Sequence, residues 1–287
     1  MALETLGLIV AGILGLVFGS FINVVIVRLP RMMDAEQHQA AAELLQKSQP
    51  TGPDTQLSLM SPRSACPNCG NQLKPWHNIP VISFLILRGR CAHCHQRISS
   101  QYPLIELCAA VIGLLAIERF GVTPAALSAI TLGWLLLPAA LIDWQTHLLP
   151  DTLTLGTLWA GLLASLGHVY GLSPVTPAMA IFSAATGYAI LWSVERLFHR
   201  VTGNQGMGHG DFKLVAALCA WVGLPELPLM LFLSAVFGLL ASAVLVLSGQ
   251  TGRSRYIAFG PWLALSGWLA LMYGHHLIHG YHDLIGI

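Results

Sequence analysis

Long apolar runs dominate this chain and constrain its fold more than any other feature. A transmembrane helix needs about 20 mostly apolar residues. Eight candidate segments are residues 5–27, 102–120, 122–142, 152–171, 176–198, 212–224, 226–248 and 257–275. Only 9% of the residues are charged, against about 25% in a soluble domain. The sequence therefore predicts an all-α polytopic membrane protein with about eight transmembrane helices, of which the sixth is the shortest.

The basic residues indicate how these spans are oriented. Arg28 and Arg31 directly follow the first span, and cytoplasmic loops are enriched in Lys and Arg. If the spans alternate from an outside N-terminus, 13 of the 14 basic residues are cytoplasmic and only Arg119 lies outside. The cytoplasmic set is Arg28, Arg31, Lys47, Arg63, Lys74, Arg88, Arg90, Arg97, Arg196, Arg200, Lys213, Arg253 and Arg255. We therefore expect both termini outside and residues 28–101 in the cytoplasm.

Residues 28–101 form the predicted extramembrane domain, between a first transmembrane helix at 1–27 and a core of about seven helices at 102–287. The domain contains two CxxC pairs separated by 21 residues: Cys66, Cys69, Cys91 and Cys94. Paired CxxC turns at this spacing are typical of a structural zinc site with four thiolate ligands. Disulfides are less favoured in a reducing cytoplasm. Haem attachment at CxxCH would leave the first CxxC pair unexplained.

Six carboxylates lie in or beside the predicted spans, and an ionisable group there is a functional candidate by default. They are Glu106, Glu118, Asp143, Asp151, Glu195 and Asp211. Glu118 and Glu195 each neighbour an arginine, which favours interfacial ion pairs. Glu106 is expected near a helix N-terminus or beside a partner. Asp151 follows Pro150 and is explained by capping of the fourth span.

Asp143 and Asp211 are the strongest catalytic candidates. Asp143 ends the third span, where a carboxylate is disfavoured by the helix dipole, whereas Asp211 alone is also explained as a helix N-cap. The predicted topology places both at the cytoplasmic ends of their spans, although 68 residues separate them in sequence. Two neighbouring carboxylates that share one proton are the chemistry of aspartic proteases. The sequence therefore predicts an aspartic dyad.

The stretch GMGHGDFK surrounds Asp211 with Gly206, Gly208, Gly210 and Lys213. Alternating glycines predict a tight, non-standard backbone beside the dyad with room for an extended substrate. Lys213 is expected to anchor the helix end at the membrane surface.

Motifs along nearly the whole chain resemble the bacterial type IV prepilin peptidase family. They are GSFINVVIVRLPRMM, CPNCG, PWHNIPVISF, CAHC, YPLIEL, LIDWQTHLLPD, GMGHGDFKL and FGPWLALSGW. The resemblance implies that Asp143 and Asp211 are catalytic, that Asp151 is accessory, and that the four cysteines belong to a cytoplasmic zinc domain. It also implies a location in the bacterial inner membrane.

The same resemblance implies a reaction that residue spacing does not show. Members cleave the leader of type IV prepilins or type II secretion pseudopilins at the cytoplasmic face, after a glycine. They then methylate the new N-terminus with S-adenosylmethionine. No GxGxxG nucleotide motif is present to locate the donor site.

Two other functions account for part of the pattern. A proton-coupled transporter would also use paired acids, but transport sites lie near the bilayer midplane. A zinc-domain scaffold would leave the aspartates without a role. The late histidines, His275, His276, His279 and His282, are more typical of an interfacial patch than of a metal site.

Overall fold

The computed structural model describes residues 2–45, 57–66, 68–73, 79–248 and 258–285, with side chains to residue 277. Four basic residues used to orient the spans, Lys47, Lys74, Arg253 and Arg255, lie outside the described residues. So do the side chains of His279 and His282.

The described residues form an all-helical fold, with two isolated β-bridges beside the cysteines and no named strand. The helices are α1 (Ala2–Leu44), α2 (Ile82–Ile86), α3 (Gln101–Phe120), α4 (Pro124–Thr146), α5 (Asp151–Leu166), α6 (Pro177–Thr202), α7 (His209–Val222), α8 (Leu227–Leu247) and α9 (Gly260–Ile285). Each of the eight predicted spans overlaps one of these helices. The all-α prediction is therefore confirmed over the described residues.

Local sequence explains several helix ends. Thr123 and Thr176 precede prolines and accept backbone N–H groups, so they cap α4 and α6. Gly203 ends α6 in the left-handed conformation, with φ 72°. α1 continues past the predicted end of its span at residue 27, with Pro30 inside the helix.

Within the described residues, four segments are long and apolar enough to cross a membrane: α1, α4, α6 and Leu224–Leu247. By contrast, α5 has 16 residues and α7 has 14, so at about 1.5 Å per residue neither reaches the roughly 30 Å of a bilayer core. The count of eight transmembrane helices stays a prediction.

The chain divides into two compact units, residues 1–115 and 116–287. In the first unit, α1 and α3 touch closely, because an ideal Cβ at Gly15 would lie 2.4 Å from the Cα of Ala110. The first unit contains α1, the cysteine segment and most of α3, so the border between the compact units lies at 115/116 and not at the predicted 27/28 or 101/102. The three-domain division stays a prediction.

In the second unit, α7 is the central helix. It packs chiefly against α5 and α6 and also contacts α9, while α9 packs against α4 and α8. From Leu214 to Val222 every residue of α7 is buried. The segment predicted as the sixth span is therefore a buried core helix, and its first turn carries Asp211.

Candidate active site

Asp143 and Asp211 both lie in the second unit, and both are buried. Their residues are 6% and 9% exposed. The charge of Asp143 acts on Asp211, so the two carboxylates lie within electrostatic range of each other. Two buried like charges at short range favour a state in which only one is ionised.

Each carboxylate accepts a hydrogen bond from a glycine N–H. Oδ2 of Asp143 accepts from Gly260 at 3.0 Å, and Oδ2 of Asp211 accepts from Gly208 at 3.2 Å. Gly208 is the N-cap of α7 and Asp211 is its third residue. The interpretation of Asp211 as the N-cap itself is therefore wrong, although its carboxylate does bind the N-cap amide.

Leu149 packs against the backbone on both sides of the pair. An ideal Cβ at Gly210 would lie 2.7 Å from Cβ of Leu149, and one at Gly260 would lie 3.2 Å from its Cδ1. The Gly260 Cβ would also lie 2.6 Å from Oδ2 of Asp143. Glycine at position 210 therefore lets α7 approach Leu149 closely, and glycine at position 260 lets α9 approach both Leu149 and the Asp143 carboxylate.

The glycines of GMGHGDFK do not adopt the expected non-standard backbone. Gly208 is extended, with φ −78° and ψ 151°, and the left-handed glycine of this loop is Gly203. At Gly206 the constraint is space, because a Cβ there would lie 2.9 Å from the ring of Phe198. Close packing, rather than an unusual φ, therefore explains why positions 206 and 210 are glycine.

Glu195 holds the same loop. Both of its carboxylate oxygens accept the N–H of Gly206, at 3.2 and 3.3 Å. Its neighbour Arg196 lies over the ring of Trp192 instead, 5.4 Å from the ring centroid. The sequence-based pairing of Glu195 with Arg196 is thus replaced by a contact to the loop that precedes α7.

Lys213 and Asp151 form an ion pair that the sequence analysis missed. Nζ of Lys213 lies 2.6 Å from Oδ1 of Asp151, and the side chains are 31% and 60% exposed. Asp151 is the first residue of α5, and Pro150 is the N-cap position, with no side-chain capping bond. Capping by Asp151 is therefore replaced by a contact between α5 and α7, and anchoring of Lys213 at the membrane surface stays a prediction.

The four cysteines of the first unit form one candidate metal site. The sulfurs of Cys66, Cys69, Cys91 and Cys94 all lie within 4.8 Å of one another. The Sγ atoms of Cys66 and Cys94 are 3.8 Å apart, as expected for two ligands about 2.3 Å from a tetrahedral zinc. The backbone N–H of Gln96 and the Asn68 side chain lower the pKa of Cys94 to about 6, which favours the thiolate.

Glu106, in the first unit, is almost fully buried and accepts the backbone N–H of Val81 at 2.8 Å. Glu106 thus has a backbone partner in the segment before α2.

At the end of α3, Arg119 donates to the carbonyl of Met272 and lies over the rings of Phe120 and Tyr273.

Two stretches of the chain match models of known protein families. The model of the bacterial peptidase A24 N-terminal domain matches residues 13–120, and that of the type IV leader peptidase family matches residues 129–243. The second match includes both Asp143 and Asp211. No solved structure matches the chain.

Curated relatives are similar over most of their length. A prepilin leader peptidase/N-methyltransferase of Pseudomonas putida is 42% identical over 255 residues, covering 89% of this chain and 86% of the relative. Proteins of the same name from Pseudomonas aeruginosa and Neisseria gonorrhoeae are 43% and 41% identical, over 88% and 89% of this chain and 86% of each relative.

Proposed function

The chain belongs to the type IV leader peptidase family, and from that membership we propose that Asp143 and Asp211 are the catalytic pair of a membrane aspartic endopeptidase. Its relatives carry the name prepilin leader peptidase/N-methyltransferase, and this chain is likewise a leader peptidase with a methyltransferase activity. The proton-coupled transporter is not supported by these relatives.

The observation that carries the assignment is the buried carboxylate pair, each member held by one backbone N–H. In the proposed mechanism the ionised carboxylate takes a proton from water, and the resulting oxygen nucleophile attacks the scissile carbonyl carbon. The protonated partner donates to the carbonyl oxygen. Collapse of the intermediate breaks the C–N bond as the departing amine takes up the proton that the first carboxylate had received from water. The shared proton belongs to the pair rather than to either residue.

We propose that the substrates are type IV prepilins or type II secretion pseudopilins, cleaved after a glycine at the cytoplasmic face of the bacterial inner membrane. Asp143 lies near the end of α4, and Asp211 lies in the first turn of α7. A precursor with a charged leader and an apolar helix would place its junction at the membrane surface, where helix ends meet it. The concentration of basic residues in the predicted cytoplasmic loops supports this sidedness.

For the second activity we propose S-adenosylmethionine as methyl donor, since the relatives' name includes N-methyltransferase. For the first unit we propose a structural zinc ion bound by the four cysteine thiolates. A closed site with four protein ligands leaves no coordination position for substrate.

Substitution of single carboxylates tests the dyad. In full-length protein reconstituted with a prepilin-like precursor, Asp143→Asn and Asp211→Asn should each lower the cleavage rate by about 10²–10⁴-fold, as expected for loss of a general acid or base. Asp151→Asn is the matched control. It removes only an exposed ion pair worth at most about 1 kcal/mol, so cleavage should persist.

Normal cleavage by Asp143→Asn would refute the assignment of the pair. In the same assay, transfer of a labelled methyl group from S-adenosylmethionine to the cleaved product tests the proposed donor. Absence of label on a fully cleaved product would contradict it.

A further inference from the structure

The short helix α2 exposes apolar side chains within the first unit. Ile82, Leu85 and Ile86 are 53%, 67% and 74% exposed, and Ile79 just before the helix is 44% exposed. Of the five residues of α2, only Ser83 is buried. A cluster of this kind on a small domain marks an interaction surface.

The position of α2 relative to the first span follows from Glu106. An ideal Cβ at Gly19 would lie 2.5 Å from the Cα of Glu106, so these two residues are at the same level. Gly19 lies eight residues inside the predicted end of the first span at residue 27, or about 12 Å at 1.5 Å per residue. Since Glu106 accepts the N–H of Val81 at 2.8 Å, α2 begins beside the apolar part of α1.

The backbone of this segment meets the requirement for contact with lipid. Backbone groups without hydrogen-bond partners are costly in hydrocarbon. The N–H groups of Ser83, Leu85 and Leu87 donate to carbonyls within the segment, at 3.2, 3.0 and 2.9 Å. The N–H of Gly89 donates to Phe84 at 2.8 Å. The turn therefore satisfies these donors internally while its apolar side chains face outward.

Basic residues follow the apolar cluster directly. Arg88 and Arg90 are the first charged residues after Ile86, and guanidinium groups at a membrane surface are attracted to anionic head groups. Gly89 between them accepts the N–H of Ile98 at 2.8 Å, which joins the segment to the second CxxC turn. An apolar turn ending in arginines fits a lipid surface better than it fits water.

We propose that residues 79–87 insert into the bilayer beside α1 and α3, so that lipid covers Ile82, Leu85 and Ile86. The occupant is lipid because α2 begins at the level of Gly19, where the apolar residues Val17 and Phe21 of α1 are also exposed, and because its flank is basic. The segment predicted to lie wholly outside the membrane, residues 28–101, thus has one part that returns to it. This inference is independent of the proposed catalytic pair.

Photocrosslinking in membranes tests the proposal. Full-length protein carrying benzoylphenylalanine in place of Leu85 is reconstituted in vesicles of phosphatidylethanolamine and phosphatidylglycerol and then irradiated. The control carries the same group at Leu44, which is 85% exposed and lies 17 residues past residue 27, or about 26 Å along the helix. We expect lipid adducts at position 85 and none at position 44, detected by mass spectrometry.

Three results would overturn the proposal: no lipid adduct at position 85, a crosslink to a second copy, or loss of the lipid adduct to a crosslink with added prepilin-like precursor. A variant labelled at Ile86 provides a second probe should the first fail to fold. Bound metal and retained precursor cleavage show that each labelled protein is folded.

Discussion

Gly260 supplies Asp143 with both a hydrogen-bond donor and the space to receive it. Its N–H lies 3.0 Å from Oδ2 of Asp143, and any side chain at this position would begin 2.6 Å from the same oxygen. A carboxylate must be held in place to activate water, and small displacements of catalytic groups are costly.

Gly260→Ala should therefore reduce leader cleavage by about 10- to 100-fold through displacement of the Asp143 carboxylate. The matched control is Gly238→Ala, because a Cβ there would make ordinary contact with Trp262 at 3.4 Å. The measurement is the turnover rate at saturating precursor. Equal rates in the two variants would show that the position of Asp143 does not depend on Gly260.

For single residues, the sequence identified the two candidate carboxylates but not the hydrogen bonds that position them. Asp143 and Asp211 were found because a carboxylate at a span end needs an explanation. Gly260 was missed because it lies 117 residues from Asp143 and donates from its backbone N–H. Every residue except proline has such a donor, so the residue type does not reveal it. The Lys213–Asp151 pair was missed because each residue had an adequate local explanation.

Among the helices, α7 depends most on close packing. Trp221 donates from Nε1 to the carbonyl of Thr157 at 2.9 Å, and its ring fills the space beside Gly161. At the other end of α7, Lys213 bonds to Asp151. The buried Trp221 contact therefore fixes the position of α7 against α5, and the exposed Lys213–Asp151 pair adds little to it.

Gly161→Ala should destabilise this packing by about 1–3 kcal/mol, the usual cost of overfilling a core. The added Cβ would lie 2.7 Å from Cδ1 and Nε1 of Trp221. Gly156→Ala on the same helix is the control, since no atom lies within 4 Å of its Cβ position. Thermal unfolding in detergent should show a lower midpoint for Gly161→Ala only. A shared midpoint would contradict the packing argument.

Apolar runs predicted where the helices lie but not how each is surrounded. The runs at 122–142 and 212–224 look alike by hydropathy, yet α4 is long enough to span a membrane and α7 is a 14-residue core helix. A helix surrounded by protein and one surrounded by lipid both need apolar side chains on all faces. Length was the one signal in the sequence that distinguished them.

For the whole molecule, the candidate metal site and the candidate catalytic pair belong to different compact units. The cysteines lie in residues 1–115, and both aspartates lie in residues 116–287. Among the described residues from 57 to 100, Cys91 is the one buried apolar residue. Metal binding would therefore supply much of its folding free energy.

We expect one zinc per chain in the purified protein, and loss of that zinc together with a lower thermal midpoint in Cys66→Ser or Cys94→Ser. Cys108→Ser is the control, since Cys108 lies in α3 outside the cluster. Metal content by elemental analysis and unfolding by calorimetry are the measurements. Full metal content after replacement of all four clustered cysteines would place the ion elsewhere.

Because α1 extends past the predicted span end, its charged residues lie at different distances from the surface of an anionic membrane. Arg28 and Arg31 lie within about 6 Å of the predicted span end, whereas Asp34, Glu36 and Glu43 follow at about 10 to 24 Å along the helix. The Debye length at physiological ionic strength is about 8 Å. The leaflet's surface potential therefore attracts the arginines while salt screens its repulsion of the acids. In dilute buffer that repulsion would extend further along α1, so ionic strength as well as sequence determines how firmly this helix is held.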